Sequence, residues 1–447
     1  MSLMNRVSIL LLCEIIVISL CILFLQKKRM LDIPKLITLI LFLIVFPISG
    51  LVHLNSETII FRGYFDLIPY IETSLPLDTA LLSIIIGFSL TLSVFLQPQV
   101  SKKPASRNII DLKNLRIIQC FMILLVFFSL YAFKKIETYL TQKEINRVLF
   151  LEGGIARFFY ITVWIVWPIL IFGSQFIHLK IIKSNFKRKL IFTVAVGVIL
   201  HYILNWTGSR LLPLLFFYVF IQIAKPFDRK ESRFLILLTP VILSSYIYFT
   251  TINRISSLSY GKNIFKLESL LDWQIGRFSI LGATLKYNSD YGLAHGSTFA
   301  STLIQAFQGF SRLIGIKISG FGSDLLSISQ EYGQVIYSNT NNRYLAPGLI
   351  VEFFRNYSIL GIVIFCFTLP YFLTKLYRVS ISHDDFFVRM LSCYYMISLL
   401  FVAFLSSSES FVAYFIYYPL PMIAIILFQR KTIWRLSIKH ESNRNDF

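Results

Sequence analysis

Residues 7–25 read VSILLLCEIIVISLCILFL, a stretch in which Glu14 is the one charged residue. An α-helix needs about 20 consecutive apolar residues to cross the hydrocarbon core of a bilayer. The stretch is therefore long enough for one crossing. Gln26, Lys27, Lys28 and Arg29 follow it, where a secretory signal would place small residues for cleavage. We expect a membrane helix that is retained.

Further stretches of the same kind run along the chain, which predicts about eleven transmembrane helices. After the first, they lie near 36–54, 78–97, 115–133, 157–177, 190–205, 211–224, 234–250, 357–375, 386–405 and 411–428. Charged residues make up only 15% of the 447 residues, against about 25% in soluble proteins. The composition excludes an ordinary water-soluble enzyme and predicts an all-α polytopic membrane protein.

The net charge of +20 is distributed unevenly over the loops. One alternating set consists of 26–35, 98–116, 178–189, 225–233, 375–389 and 429–447. This set holds 26 of the 43 Lys and Arg residues, whereas the short segments of the opposite set hold 8. The positive-inside rule then places the N-terminus outside and the C-terminus in the cytoplasm. The excess of positive charge is a topology signal and no footprint of nucleic-acid binding.

The longest connection, 251–345, follows the eighth predicted helix on the outer side. Long connections without a function are uncommon, and this one contains apolar helical stretches at Leu267–Leu285 and Phe299–Ile316. We interpret it as a folded extracytoplasmic cap between helices 8 and 9. The predicted organisation is helices 1–8 in 1–250, the cap in 251–345, helices 9–11 in 346–428 and a basic cytoplasmic tail in 429–447.

The candidate site residues are charged groups at the outer membrane edge: Arg210, Arg254, Arg277, Arg312, Arg343, Glu352 and Arg355. Arginine suits a pyrophosphate because its planar fork is always charged and binds two oxygens at once. A carboxylate such as Glu352 is suited to accept the proton of a sugar hydroxyl. Two structural alternatives stay open. The arginines can anchor helix ends to lipid headgroups, and Glu352 can pair with Arg355 one turn later.

The remaining polar residues and sequence motifs give little indication of function. His295 has the chemistry of a base, but no His, Asp or Cys partner is near it in sequence, which favours a structural role. Glu14 and His201 lie inside predicted helices without an evident partner. The five cysteines all lie in apolar stretches, and no Walker, Rossmann, His-Glu-x-x-His or Asp-x-Asp motif occurs. We expect no metal, no cofactor and no nucleotide.

Several local patterns in the second half of the chain carry a resemblance to a known family. They are Gly208-Ser209-Arg210, Arg277-Phe278 with Leu281, Tyr291-Gly292, Gly296-Ser297-Thr298-Phe299, and Pro347-Gly348 with Glu352, Asn356 and Gly361. These residues and the overall plan resemble the O-antigen polymerase family (Wzy), the oligosaccharide repeat-unit polymerases of bacterial inner membranes.

The resemblance implies an inverting glycosyltransferase that needs no cofactor. It would move a growing glycan from polyprenyl pyrophosphate onto the non-reducing end of a new lipid-linked repeat unit at the periplasmic face. Arg210, Arg277 and Glu352 would be catalytic, and Arg254, Arg312, Arg343 and Arg355 would bind substrate. Membrane lipid, a chain-length regulator and a flippase are the expected partners.

Two other functions remain open from the sequence. A transporter or flippase of lipid-linked sugars would have a similar composition, although such proteins usually contain internal repeats and charges near the bilayer midplane. An O-antigen ligase is the second alternative. Related ligases follow a loop histidine with asparagine, whereas Gly296 follows His295 here, so the polymerase is preferred.

Overall fold

The computed structural model of the chain describes residues 3–28, 30, 32–55, 76–98, 276–313, 326–336, 346–383, 386–417, 419, 423 and 427. Within these ranges all regular structure is helical. Four helices, Met4–Lys27, Ile33–Leu54, Pro76–Leu96 and Leu349–Ser382, are long and apolar enough to cross a membrane. The described part of the chain therefore has the architecture of a helical membrane protein.

The helices are numbered here in chain order. They are α1 Leu3–Lys27, α2 Ile33–Leu43, α3 Ser49–Asn55, α4 Pro76–Leu96, α5 Phe278–Tyr291, α6 Ser297–Leu313, α7 Ile328–Ile336, α8 Leu349–Ser382, α9 Phe386–Leu405 and α10 Ser408–Val412. Two π-helical turns, Ile44–Ile48 and Ala413–Tyr417, follow α2 and α10.

Several predicted membrane helices coincide with these elements. The stretches 7–25, 36–54, 78–97 and 357–375 fall in the four long apolar helices, and 386–405 coincides with α9, whose apolar part is Leu391–Leu405. The predicted helices from 115–133 to 234–250 lie outside the described residues, as do the cytoplasmic tail and much of 251–345. The described parts of 251–345 are 276–313, which includes α5 and α6, and 326–336, which includes α7.

The chain divides into two compact units. The first consists of Met1–Ser101, Glu231–Lys375 and Ser398–Ala413, and it contains Arg277, Glu352 and Arg355. The second consists of Lys102–Lys230, Leu376–Ile397 and Tyr414–Phe447. In the second unit Arg389 donates from Nε to the Ser380 carbonyl at 2.9 Å, and the rings of Tyr395 and Phe415 stack with centroids 5.2 Å apart.

Helix α1 separates its apolar side chains into two faces. Val7, Leu11 and Ile18 are buried, whereas Ile16 and Leu23 are half or more exposed. Buried positions at spacings of four and seven residues form one stripe of an α-helix. The exposed apolar side chains on the other face fit a lipid environment, since water would penalise them.

Glu14 lies in α1 on the buried side. Its two carboxylate oxygens lie 3.2 and 3.0 Å from the Ser83 hydroxyl of α4. Gly87 leaves room for this carboxylate, because a Cβ on Gly87 would lie 2.9 Å from Glu14 Oε1. The intramembrane acid thus has a specific partner, which the sequence pattern did not reveal.

A buried lysine ties the α1–α2 turn to the end of α4. Lys35 Nζ donates to the carbonyls of Gln97 and Pro98 at 3.1 and 3.2 Å, and only 2% of its side chain is exposed. Asp32 caps α2 by accepting from the Lys35 N–H at 3.2 Å. The positive ammonium thus meets the negative C-terminal end of a helix, where a cation is favoured.

The π-helical turn Ile44–Ile48 contains Pro47, which has no N–H to donate to the helix. In this turn the Ser49 N–H reaches the Ile44 carbonyl. The Val45 carbonyl accepts from the Ser49 hydroxyl at 2.6 Å and from the Arg277 N–H at 2.8 Å. The Val45 carbonyl of this turn is thus a backbone acceptor that fixes the start of α5.

Phe278 anchors α5 against the N-terminal helices. It forms a buried cluster with Val7, Leu11 and Ala80. Gly50 makes the contact possible, since a Cβ there would lie 2.8 Å from the Phe278 ring. The start of α5 is therefore held by one backbone hydrogen bond and one aromatic anchor.

Replacing Gly50 with valine is expected to lower the free energy of unfolding by about 1–3 kcal/mol, because added atoms would overlap the Phe278 ring. Thermal unfolding of the purified protein in detergent measures the change. Leu20→Val, on the exposed face of α1, is the control and should melt like the wild type. A Gly50→Val protein that also melts like the wild type would contradict this packing.

Helix α8 is interrupted at Ser358, whose φ of 57° and ψ of −149° are not helical. A break of this kind frees carbonyls of the preceding turn. The carbonyls of Phe354 and Arg355 accept hydrogen bonds from Asn288 Nδ2 at 3.3 Å and from the Ala294 N–H at 3.1 Å. The short segment before the break, Leu349–Tyr357, carries the candidate site.

Candidate functional site

Of the predicted site residues, Arg277, Glu352 and Arg355 are described with their side chains. Arg312 lies in α6, and only its backbone is described. Arg210, Arg254 and Arg343 lie outside the described residues. The three described side chains all belong to the first unit.

The Glu352 carboxylate is fully buried, with 0% exposure. It accepts hydrogen bonds from the Thr298 hydroxyl at 3.1 Å, the Ser408 N–H at 2.9 Å and the Ser408 hydroxyl at 2.6 Å. Thr302 extends the group, with its hydroxyl 2.7 Å from Ser408 Oγ. The carboxylate therefore joins α8 to the N-terminal turn of α6 and to the segment that follows α9.

Asn356, one turn after Glu352, continues the same network. Its Nδ2 donates to the Thr298 hydroxyl and to the Glu352 carbonyl, each at 2.8 Å, and its Oδ1 accepts from the Gly296 N–H at 2.8 Å. Asn356 and Thr298 are buried like Glu352. We call Thr298, Glu352, Asn356 and Ser408 the buried network. Buried polar groups with complete hydrogen bonding hold a unique geometry.

The buried network fixes the loop that precedes α6. Gly292 and Gly296 have positive φ angles of 75° and 88°, and His295 between them has a φ of 48°. A side chain on Gly296 would also meet the Tyr357 hydroxyl at 2.8 Å. Glycine is required at 296 for both reasons, whereas His295 holds a left-handed conformation that is uncommon for a residue with a Cβ.

Arg277 is buried, with 6% of its surface exposed. Its Nη1 donates to the Gly276 carbonyl at 2.8 Å and its Nη2 to the Leu405 carbonyl at 2.9 Å. Leu405 ends α9, so the guanidinium meets the negative end of that helix. The following residues, Ser406–Ser408, lead directly to Glu352.

Gly348 brings the start of α8 close to the same end of α9. Its φ is +91°, and a Cβ on it would lie 2.9 Å from the Phe404 carbonyl oxygen. The Gly348 carbonyl accepts the Glu352 N–H at 3.0 Å. Glycine at this position therefore permits the approach that Ser408 and Glu352 need in order to meet.

Arg355 belongs to a separate cluster next to the buried network. It forms an ion pair with Glu331 at 2.7 Å, donates to Asn288 Oδ1 at 2.9 Å and to the Gly292 carbonyl, and its guanidinium lies 4.6 Å from the centre of the Tyr287 ring. Glu352 and Arg355 thus take different partners, and the local pair between them that the sequence allowed is not formed.

The phenols of this cluster are un-ionised groups. Burial, followed by the nearby Glu331 carboxylate, raises the pKa of Tyr287 to about 12. Burial also raises the pKa of Tyr332, whose hydroxyl bonds to Thr284. Arg355 is therefore held by one carboxylate, one amide, one carbonyl and one neutral ring, and this cluster fixes the position of α7 beside α8.

Glu409 is a second acidic residue close to Glu352. Burial raises the pKa of the Glu409 carboxyl, and hydrogen bonding with Ser327 and Ser329 lowers it in part. The Ser407 hydroxyl lies 3.1 Å from Ser329 Oγ. The segment after α9 is therefore fixed to α7 through serines as well as to α8 through Glu352.

Sequence reasoning had named Glu352, Asn356 and Thr298, but it missed Ser408, Glu409, Glu331 and Asn288. The available signal for two of them was the run Ser406-Ser407-Ser408-Glu409-Ser410 between two apolar stretches. A polar run between two membrane helices needs polar partners within the protein, because lipid offers none. Glu331 and Asn288 carried no such signal.

The described site contains hydroxyl, carboxylate, amide, imidazole and guanidinium groups. Among the described residues, no group of three or more His, Cys, Asp or Glu side chains is arranged to hold a metal ion. The groups of this site can bind a polar substrate, transfer protons and stabilise negative charge.

No family model, curated protein or solved structure matches this chain.

Proposed function

We propose that this protein is a membrane glycosyltransferase that polymerises lipid-linked oligosaccharide repeat units of O-antigen or a related surface glycan. The acceptor is the non-reducing-end hydroxyl of a new repeat unit. The donor is the growing glycan on polyprenyl pyrophosphate, which supplies both the leaving group and the energy. The reaction inverts the anomeric centre.

The observation that supports this proposal is the convergence of the residues on which the resemblance rests. Glu352 and Asn356 come from one quoted stretch, and Gly296 and Thr298 come from another more than fifty residues earlier. All four meet through hydrogen bonds of 2.8–3.1 Å. Residues scattered in sequence that meet in one buried polar network are a feature of functional sites more than of lipid-facing helices.

The arginines would bind the pyrophosphate in this proposal. Arg210, Arg254 and Arg277 are assigned to it because developing charge on the leaving group needs fixed cations. Arg312, Arg343 and Arg355 are assigned to substrate binding. The Glu352 carboxylate is buried and holds the loop next to it. It would therefore act on the acceptor hydroxyl indirectly, through the groups that it positions.

The membrane setting follows from the same proposal. A long prenyl chain needs an apolar environment between helices, and the glycan needs a polar surface outside the bilayer. We place the protein in the bacterial inner membrane, with the site at the periplasmic face, the N-terminus outside and the C-terminus in the cytoplasm, as the loop charges indicate.

Deletion of the gene tests the proposal against both alternatives. A polymerase deletion is expected to leave single repeat units on the lipid A core, visible by gel electrophoresis of extracted surface polysaccharide. Loss of every repeat unit from the core would instead indicate a flippase. Long polymer that stays on its lipid carrier would indicate a ligase. Either of the latter two outcomes would overturn the proposed polymerase.

A further inference from the structure

The loop Gly292–Gly296 contains His295, a residue to which the proposed function assigns no role. Among the described residues, His295 and Ser358 are the ones other than glycine with positive φ. Ser358 lies at the break in α8, where it accounts for a bend. His295 and Gly296 are instead the two central residues of a β-turn, which is closed by the Ser297 N–H donating to the Ala294 carbonyl at 2.9 Å.

The backbone on both sides of His295 is fixed. The Ala294 N–H donates to the Arg355 carbonyl at 3.1 Å, and the Gly296 N–H donates to Asn356 Oδ1 at 2.8 Å. A left-handed conformation at a residue with a Cβ costs about 1–2 kcal/mol. Here the β-turn and these two hydrogen bonds hold that conformation, so the loop carries residue 295 on a fixed backbone.

The side chain of His295 is exposed, in contrast to the groups beneath it. Glu352, Thr298 and Asn356 are all buried and joined by hydrogen bonds that end at the Gly296 N–H. The buried carboxylate therefore fixes a loop whose outward group is an imidazole. Imidazole is the side chain that most often transfers protons in enzymes.

We infer that His295 is the proton acceptor of the glycosyl transfer and that Glu352, Thr298 and Asn356 are the positioning residues that hold it. The inference rests on the proposed function. An imidazole nitrogen takes the proton of the acceptor hydroxyl. The hydroxyl oxygen forms its bond to the anomeric carbon of the donor glycan as the bond from that carbon to the pyrophosphate oxygen breaks. The electron pair leaves with the lipid pyrophosphate, and the imidazolium passes its proton to water.

The test uses substitutions that fit the backbone. Asparagine and glycine both tolerate a positive φ, so His295→Asn and His295→Gly remove the imidazole without disturbing the loop. Each is expressed in the deletion strain, and the polymer made per molecule of protein is measured by gel and immunoblot. Both are expected to lose at least about a hundredfold in polymer, since general acid–base catalysis contributes roughly 10²–10⁴-fold. His383→Asn, directly after the end of α8, is the matched control and should keep wild-type activity.

Chemical rescue separates catalysis from structure. In membranes that carry His295→Gly and the strain's own lipid-linked repeat units, free imidazole should restore part of the polymerisation. Absence of rescue, or activity of His295→Asn within about threefold of the wild type, would overturn the assignment of His295. A wild-type gene that fails to restore polymer would overturn the proposed function itself and this inference with it, which keeps the two failures distinct.

Discussion

Glu352→Ala is expected to destabilise the first unit by about 3–5 kcal/mol and to abolish polymer formation. The substitution removes the common acceptor of three buried donors, namely the Thr298 hydroxyl and the N–H and hydroxyl of Ser408. Each buried donor left without a partner costs about 1–3 kcal/mol. Unfolding of the detergent-purified protein by heat, together with its yield from membranes, measures the effect.

Two further variants make this result specific. Glu352→Gln keeps the size of the side chain, but its NH₂ group cannot accept from the Ser408 N–H, so we expect an intermediate stability. Asp290→Ala removes an acid from the exposed pair with Lys286, and exposed pairs contribute about 1 kcal/mol at most. If Glu352→Ala were as stable as Asp290→Ala, the buried network would not contribute to the stability of the fold. The proposal that it holds the loop with His295 would then be wrong.

The helices were within reach of sequence reasoning because a bilayer imposes a simple rule on length and polarity. The stretches 7–25 and 78–97 obey it, and both are helical at almost the expected bounds. The stretch 36–54 also obeys it, but Pro47 alters its hydrogen bonding to a π-helical turn. Proline in such a stretch signals a local irregularity, although Arg277, whose N–H bonds to the Val45 carbonyl of this turn, lies far away in sequence.

The candidate site was predictable in part for the same reason. A charged residue near a membrane helix is costly, so Arg277 and Glu352 were conspicuous among apolar neighbours. Their partners were not, because hydroxyls and backbone carbonyls are common and carry no periodicity. Nothing in the sequence distinguishes Ser408 from its serine neighbours, and only the approach permitted by Gly348 brings it to Glu352.

The surroundings of His295 show most clearly which relations the sequence does not reveal. Its sequence neighbours offered no acid or second histidine, which favoured a structural role. In the structure the Glu352 carboxylate is linked by hydrogen bonds through Thr298 and Asn356 to the Gly296 N–H, next to His295. More than fifty residues separate Glu352 from His295 along the chain. A local motif cannot encode such a relation, because the connection runs through tertiary hydrogen bonds.

Arg277→Ala is expected to lower polymer formation by at least about a hundredfold while the protein remains in the membrane. The guanidinium joins the Gly276 carbonyl to the Leu405 carbonyl at the end of α9. In the proposed function its positive charge also stabilises the negative charge of the leaving pyrophosphate. Loss of one preorganised group of this kind costs about 10²–10³-fold in rate. Polymer per molecule of protein in the complemented deletion strain is the quantity to measure.

Arg277→Lys keeps the charge, but an ammonium cannot span both carbonyls in the fixed geometry of the guanidinium fork. We therefore expect at least about a tenfold loss, smaller than that of Arg277→Ala. Lys286→Ala on the same helix α5 serves as the matched control, because its exposed pair with Asp290 lies at the surface. Full-length polymer from Arg277→Ala at wild-type protein level would remove Arg277 from the site, because neither its charge nor its contact with α9 would then be required.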